Sequence, residues 1–340
     1  MSDTMLMVND LKTYYRTRLK ENVYAVDGVS FGLERGKVLG IAGESGCGKS
    51  TLSLSLMGFY FPPLHFGSGS ILLNGNDIMK LPYETLRKDY LGKQIAYIPQ
   101  AAMNALNPTR RIRRYVVDVL TEHDTGLDEK AMLNLAREKL SFLNLPDRVL
   151  DAYPGELSGG MKQRTVIALS TLLNPSVLIA DEPSSALDVS SQKVVMEMLR
   201  KMLRESQVQS MIFITHELPL LRHVADHIAV MYAGEFVEWG TAEQVIFDPI
   251  HPYSHALMGS IIVPEEGMKS HSLSCIPGAP PNLKNVPKGC RFAERCTYIT
   301  PECRAENQVM TTLPDGRQYR CRFSQEALRD MYAKEVPANA

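Results

Sequence analysis

Short apolar runs alternate with helix-spaced apolar positions along the first ~250 residues, a rhythm that reads as an α/β domain. Lys37 to Ala42 (KVLGIA) is an apolar run that enters a glycine-rich loop, and Thr51 to Met57 after it reads as a helix. Ile71 to Leu73, followed by Asn74-Gly75, predicts a strand that ends in a turn. Leu133, Ala136, Leu140 and Leu143 recur at helical spacing between Asp128 and Leu145. They predict an amphipathic helix inside a mainly helical insertion between about 101 and 155. Val177 to Ala180 and Met211 to Thr215 predict buried strands. After Pro249 the periodicity breaks: prolines at 249, 252, 264, 277, 280, 281 and 287 mark a linker or irregular region. The expected division is a domain over 1–252 and an extension over 253–340.

Composition narrows the classes. At 44 % hydrophobic and 22 % charged residues, the chain has the material for a core. A formal net charge of -1 gives no electrostatic reason to expect nucleic acid as a partner. Arg110, Arg111, Arg113 and Arg114 form a local basic cluster, read as a solvated helix face or a protein contact rather than a DNA site. No apolar stretch approaches the ~20 residues of a membrane helix, and residues 1–9 lack a secretory pattern. A cytosolic protein that meets membranes only through a partner is the expectation.

The chemistry starts at Gly43-Glu44-Ser45-Gly46-Cys47-Gly48-Lys49-Ser50, which fits G-x-x-x-x-G-K-[ST] between a predicted strand and a predicted helix beginning at Thr51. Glycines let the backbone curl so that its N–H groups face phosphate oxygens, and the helix N-terminus adds partial positive charge. Lys49 is expected to reach the β- and γ-phosphates, and the Ser50 hydroxyl to ligate Mg²⁺. A chance glycine-rich loop would not have both flanking elements. The second motif, Val177 to Glu182, is an apolar run ending in two acids. Asp181 is expected to hold Mg²⁺ and Glu182 to polarise the attacking water as general base. Standing alone, it would be read as a strand meeting surface acids. Together the two motifs indicate an Mg-nucleotide hydrolase.

Leu157-Ser158-Gly159-Gly160-Met161, followed by Lys162-Gln163-Arg164, resembles the signature of ABC ATPases and lies just upstream of the acidic strand, as in that family. Physically it is a second glycine-rich helix N-terminus, though Ser-Gly-Gly alone is also a common helix cap. Gln100 after Ile95 to Ile98 resembles the family's Q-loop, Ser185-Ala186-Leu187-Asp188 its D-loop, and His216 its switch histidine. The resemblance implies an ABC-type P-loop ATPase domain with a helical subdomain, working as a dimer. Each ATP then lies between one subunit's phosphate loop and the other's signature. It further implies two membrane permease subunits, an extracytoplasmic solute-binding protein reached through them, and a site on the cytoplasmic face of the membrane. For adenine stacking the family's N-terminal strand favours Tyr15, with Tyr14 and Tyr24 as structural or stacking alternatives.

Six cysteines are present, and Cys275, Cys290, Cys296, Cys303 and Cys321 fall in the last quarter. In a reducing compartment such clustering favours metal ligation over disulfides. His251-Pro252-Tyr253, the segment Ile276 to Leu283, Gly289-Cys290 and Arg295-Cys296 resemble the C-terminal extension of dipeptide/oligopeptide importer ATPases. Cys290, Cys296, Cys303 and Cys321, with intervals x5, x6 and x17, match that family's cysteine motif. In some members this motif holds a [4Fe–4S] cluster, which the resemblance and the lack of a C-x2-C knuckle favour here, with zinc as the alternative that four thiolates also suit. Thr297 departs from the family's usual proline, and Cys275 is expected to be a free thiol. The resemblance implies a peptide as transported solute, with oligosaccharide or nickel as alternatives within the class. A soluble ABC ATPase is disfavoured because neither a second ATPase domain nor a long coiled-coil insertion is visible.

Overall fold

The computed structural model describes residues 3–185, 187–260 and 276–335; Ala186, Pro264 and Cys275 lie outside them. The chain opens with two long strands, β1 (Thr4–Arg16) and β2 (Asn22–Glu34), before the short buried β3 (Val38–Ala42) and helix α1 (Lys49–Leu56). Next come β4 (Leu64–Leu73), β5 (Asn76–Asp77), a single turn α2 (Tyr83–Thr85) and β6 (Ile95–Ile98). Three helices follow: α3 (Ile112–Glu122), α4 (Glu129–Phe142) and α5 (Gly159–Ser170). The chain then alternates through β7 (Val177–Asp181), α6 (Val189–Arg204), β8 (Ser210–Thr215), α7 (Leu218–Val224) and β9 (His227–Tyr232). It continues with β10 (Glu235–Thr241), α8 (Ala242–Phe247) and α9 (Pro252–Gly259). The final stretch contributes α10 (Pro301–Ala305), β11 (Thr311–Thr312), β12 (Gln318–Tyr319) and α11 (Gln325–Glu335).

These strands make two sheets. One is antiparallel, in the order β2-β1-β4-β5; the other runs β11-β12-β10-β9-β3-β8-β7-β6. In the second sheet β9, β3, β8, β7 and β6 are mutually parallel. Strands β3, β7 and β8 are buried along their whole length, as expected of parallel strands covered on both faces. Their continuous apolar runs in the sequence have this cause. The Asn74-Gly75 turn joins β4 to β5 with both residues at positive φ, 49° and 82°, the geometry of a tight hairpin. Asp128 caps α4 by accepting from the Ala131 amide at 2.7 Å.

The basic cluster lies at the start of α3, where Arg110 and Arg114 face Asp118 and Arg113 faces Asp151. It is a paired, partly solvated helix face. Among the described residues, no helix is long and apolar enough to cross a membrane.

The last described stretch is less irregular than its prolines suggest. β12 pairs with β10 at Glu238↔Tyr319 and Trp239↔Gln318, and β11 pairs with β12, so the stretch extends the main sheet. Ile250, Tyr319, Leu328 and Tyr332 form a small separate core. Phe292 is buried against Tyr232 and Tyr253, with ring centroids 5.3 and 5.4 Å away. That contact ties the stretch to the end of β9 and the start of α9. Phe292→Ala is expected to cost about 3 kcal/mol, as large-to-small core changes do. Denaturant unfolding measures the loss, and limited proteolysis should cut first within 276–335; an unchanged midpoint would contradict this account of the attachment.

Candidate functional site

Strands β3, β8, β7 and β6 are consecutive neighbours that end level with one another, with Ala42↔Thr215, Asp181↔Ile214 and Ile98↔Ala180 as near-terminal partners. Ligands of parallel α/β sheets bind outside these carboxyl ends. Each predicted site residue on this sheet leaves from one of them.

After β3 the chain makes the glycine-rich loop. A Cβ on Gly43 would stand 2.2 Å from the Met231 carbonyl oxygen, and one on Gly48 2.1 Å from that of Ala25. Gly48 also has φ 113°, so sterics and backbone conformation both demand glycine there. It is the N-cap of α1 and offers no side-chain cap, leaving the first-turn amides to a ligand. Lys49 is buried, and its Nζ donates to the carbonyl oxygens of Gly43 at 2.7 Å and Glu44 at 2.9 Å. The ammonium is thereby folded over the loop. Cys47 is buried against it, and burial pushes the thiol pKa up. Ser45, Gly46 and Ser50 are exposed around the rim.

Asp181 closes β7 fully buried. Tyr97 Oη, from β6, donates to its Oδ2 at 3.1 Å, while Oδ1 has no hydrogen-bond partner. Burial raises the carboxyl pKa, and the Ser50 and Tyr97 hydroxyls pull it partly back. An orphaned carboxylate oxygen beside the Ser50 hydroxyl is the donor set of a hard divalent cation such as Mg²⁺. Glu182, the next residue, has φ 48°. Left-handed backbone in a non-glycine residue stores strain and is found preferentially at functional sites. It aims the carboxylate between two neighbours: Gln100 Nε2 donates to Oε2 at 2.9 Å, and His216 Nδ1 lies 2.8 Å from Oε1. Glu182 is mostly covered, whereas His216 is 54 % exposed.

The signature residues cap α5. Ser158 Oγ accepts from the Met161 amide at 3.3 Å, and Ser158 and Gly159 are exposed, so this helix N-terminus faces outward. Gln163 Nε2 donates to the Pro183 carbonyl oxygen, linking α5 to the residue after Glu182. Asp188 caps α6 by accepting from the Ser191 amide at 3.0 Å, and the Ser190 and Ser191 hydroxyls hold its carboxyl below the usual range. Tyr15 Oη lies 3.2 Å from Thr51 Oγ1 on α1. Its neighbour Tyr14, on the other face of β1, stacks on His65 and tilts against Tyr24. Spacing did not reveal Tyr97 and Gln163, whose partners lie across strands or far along the chain.

Cys290, Cys296, Cys303 and Cys321 line one small pocket together with His251, Phe292 and Phe323. Burial pushes the Cys296 thiol up to about 12 and the Cys321 thiol to about 11. Among the described residues, no three His, Cys, Asp or Glu side chains converge on a common metal-binding point.

A family model described as ABC transporter matches residues 26–185, and one described as oligopeptide/dipeptide transporter, C-terminal region, matches residues 237–303. The chain is 37 % identical over 323 residues to a dipeptide transport ATP-binding protein of Caldanaerobacter subterraneus, spanning 95 % of this chain and 98 % of that one. It is 40 % identical to an oligopeptide transport ATP-binding protein of Bacillus subtilis, over 86 % of this chain and 82 % of the relative. Among solved structures, cbiO1 from Clostridium perfringens, part of the ABC transporter complex cbiONQ, superposes with a TM-score of 0.61 at 25 % identity, covering 72 % of this chain and 92 % of that one. A dimeric ATP-binding cassette with ADP and phosphate gives the same TM-score at 23 % identity, over 70 % of this chain and 99 % of that one, and shows the shared fold.

A carboxyl whose folded pKa lies above its unfolded 3.8 destabilises the fold once ionised. For Asp181 the cost is absent below the unfolded value, grows as pH climbs through the raised one and is complete above it. In cation-free buffer, Asp181→Asn should therefore melt higher than wild type near neutral pH, with the gap closing toward pH ~4. Calorimetry across pH checks this; equal melting at all pH would contradict the burial cost.

Proposed function

The chain belongs to the ATP-binding proteins of dipeptide and oligopeptide ABC transporters, and from that premise we propose that it is the ATP-hydrolysing subunit powering a peptide importer. The observation that carries this reading is the Gln100–Glu182–His216 trio beside the buried Asp181, which lies within electrostatic reach of Lys49 and Glu182.

In this reading Lys49 and the loop amides from Gly43 to Ser50, with Thr51, grip the triphosphate, and Tyr15 stacks on the adenine. The Tyr15–Thr51 contact supports that choice over Tyr14. Ser50, Asp181 and Gln100 hold Mg²⁺, which neutralises charge on the phosphate oxygens when bound. Glu182 accepts a proton from the attacking water. Its strained backbone and two hydrogen bonds hold the carboxylate in one orientation, which favours reaction by positioning. His216 meets the γ-phosphate. The exposed N-terminus formed by Ser158, Gly159, Gly160 and Met161 serves the nucleotide of a second ATPase subunit, homologous or identical, and Asp188 crosses that interface.

The ATPase domain is 1–252, with a helical insertion at about 101–155, and 253–340 is a cysteine-bearing extension. Two permease subunits dock near Gln100 and the helical insertion, on the cytoplasmic face of the membrane. A solute-binding protein acts through the permease. The four cysteines hold a [4Fe–4S] cluster, with zinc as the alternative. Support comes from their shared pocket and from burial that disfavours free thiolates, a penalty that metal ligation removes. Ligation requires the thiols to converge, which among the described residues they do not do here.

Glu182→Gln should bind Mg-ATP within about twofold of wild type while hydrolysis falls on the order of 10²-fold or more, the range of a lost general base. Hydrolysis at the wild-type rate would remove Glu182 from the role. Protein purified without oxygen should be brown, with broad absorbance near ~400 nm and iron and sulfide on analysis. Stoichiometric zinc in colourless protein would select the alternative.

A further inference from the structure

Arg295, next to Cys296, reaches out of the C-terminal stretch and into the glycine-rich loop. Its side chain is 5 % exposed. Nη1 and Nη2 donate to the two carboxylate oxygens of Glu44 at 2.6 and 2.9 Å, and Nε donates to the Pro277 carbonyl oxygen at 2.8 Å. A paired guanidinium and carboxylate in this fork geometry is among the stronger polar contacts, and far more directional than a solvated surface ion pair.

Glu44 is held at three further points. Its amide donates to Tyr253 Oη at 2.9 Å, and its carbonyl oxygen accepts from Lys49 Nζ at 2.9 Å and from the Cys47 amide at 3.3 Å. The backbone that Arg295 steadies through the Glu44 side chain is thus half of the seat of the Lys49 ammonium. Rotation at Glu44 moves that seat and the turn that closes on Cys47. A second arginine of the stretch, Arg291, donates to the Ala233 carbonyl oxygen and pairs with Asp27 and Glu235. Asp27 lies two residues past Ala25, whose carbonyl oxygen packs against Gly48. Arg291 thus braces segments that adjoin the loop, whereas Arg295 contacts the loop itself.

We propose that Arg295 is a positioning residue for the phosphate-binding loop. Through Glu44 it sets the seat of Lys49, so that nucleotide affinity depends on the cysteine-bearing stretch. This rests on the reading that the loop binds Mg-ATP. A contact that only anchored the stretch would change melting temperature and leave affinity alone.

The test uses the full chain and Mg-ATP in calorimetric titrations of wild type, Arg295→Gln, Arg295→Lys, Glu44→Gln and the Arg295→Gln/Glu44→Gln double variant. Each Gln variant should bind about tenfold more weakly, and the double variant no more weakly than either alone, as for partners in one interaction. Arg295→Lys should recover part of the affinity, because one ammonium replaces the fork. In the assembled transporter carrying Arg295→Gln, KM for ATP should rise with kcat within about twofold of wild type. Wild-type affinity in both Arg295→Gln and Glu44→Gln overturns the proposal, as do additive losses in the double variant. Failure of the wild-type chain itself to bind Mg-ATP would instead sink the ATPase reading beneath it, so the two failures are distinguishable. Arg295→Lys and Glu44→Gln keep the test decisive if Arg295→Gln does not fold.

Discussion

Four parallel strands ending together at one sheet edge are the constraint on which the rest of the site depends. Because β3, β8, β7 and β6 are neighbours in level register, the residues just past their ends converge although they are scattered between positions 42 and 216. The edge is costly to build. It holds a buried carboxylate with an unpartnered oxygen at Asp181 and left-handed backbone at Glu182. Native structures keep such features where function demands them.

The elements that build this edge were readable because they are buried on both faces. The run from Lys37 to Ala42 corresponds to β3, Val177 to Ala180 to most of β7, and Met211 to Thr215 to β8. Continuous apolar runs of strand length bounded by glycine or acids have few other uses. The 13-residue strands β1 and β2 were harder to read. Their burial alternates irregularly, and their mutual pairing carries four register shifts. β11 and β12, at two residues each, are below the length at which periodicity has meaning. Among side chains, Lys49, Asp181, Glu182, Gln100 and His216 stand beside recognisable runs, and the last three meet through direct hydrogen bonds. Tyr97 is hidden inside a four-residue strand, and only its pairing with β7 reveals that it reaches Asp181.

The C-terminal stretch shows why composition alone misleads about compactness. Among the described residues, its separate core buries just Ile250, Tyr319, Leu328 and Tyr332. The rest of its order comes from Phe292 inserted into an aromatic cluster and from guanidinium groups that reach the ATPase core. A proline- and cysteine-rich composition carries no periodic signal for such attachments, since each depends on a partner more than 50 positions away, as in Arg291 with Ala233 and Arg295 with Glu44.

The central claim concerns what faces the triphosphate across from Lys49. In the proposed function, one chain supplies the strand-end edge and its outward-facing Ser158 helix N-terminus serves a neighbour's nucleotide. The most direct measurement is a cryo-EM map of the assembled transporter carrying Glu182→Gln, with Mg-ATP. The account predicts paired ATPase subunits with each nucleotide closed between one subunit's Lys49 loop and the other's signature helix, including Ser158. Nucleotide bound on the Lys49 loop with only solvent opposite it, in subunits that remain apart, would contradict it.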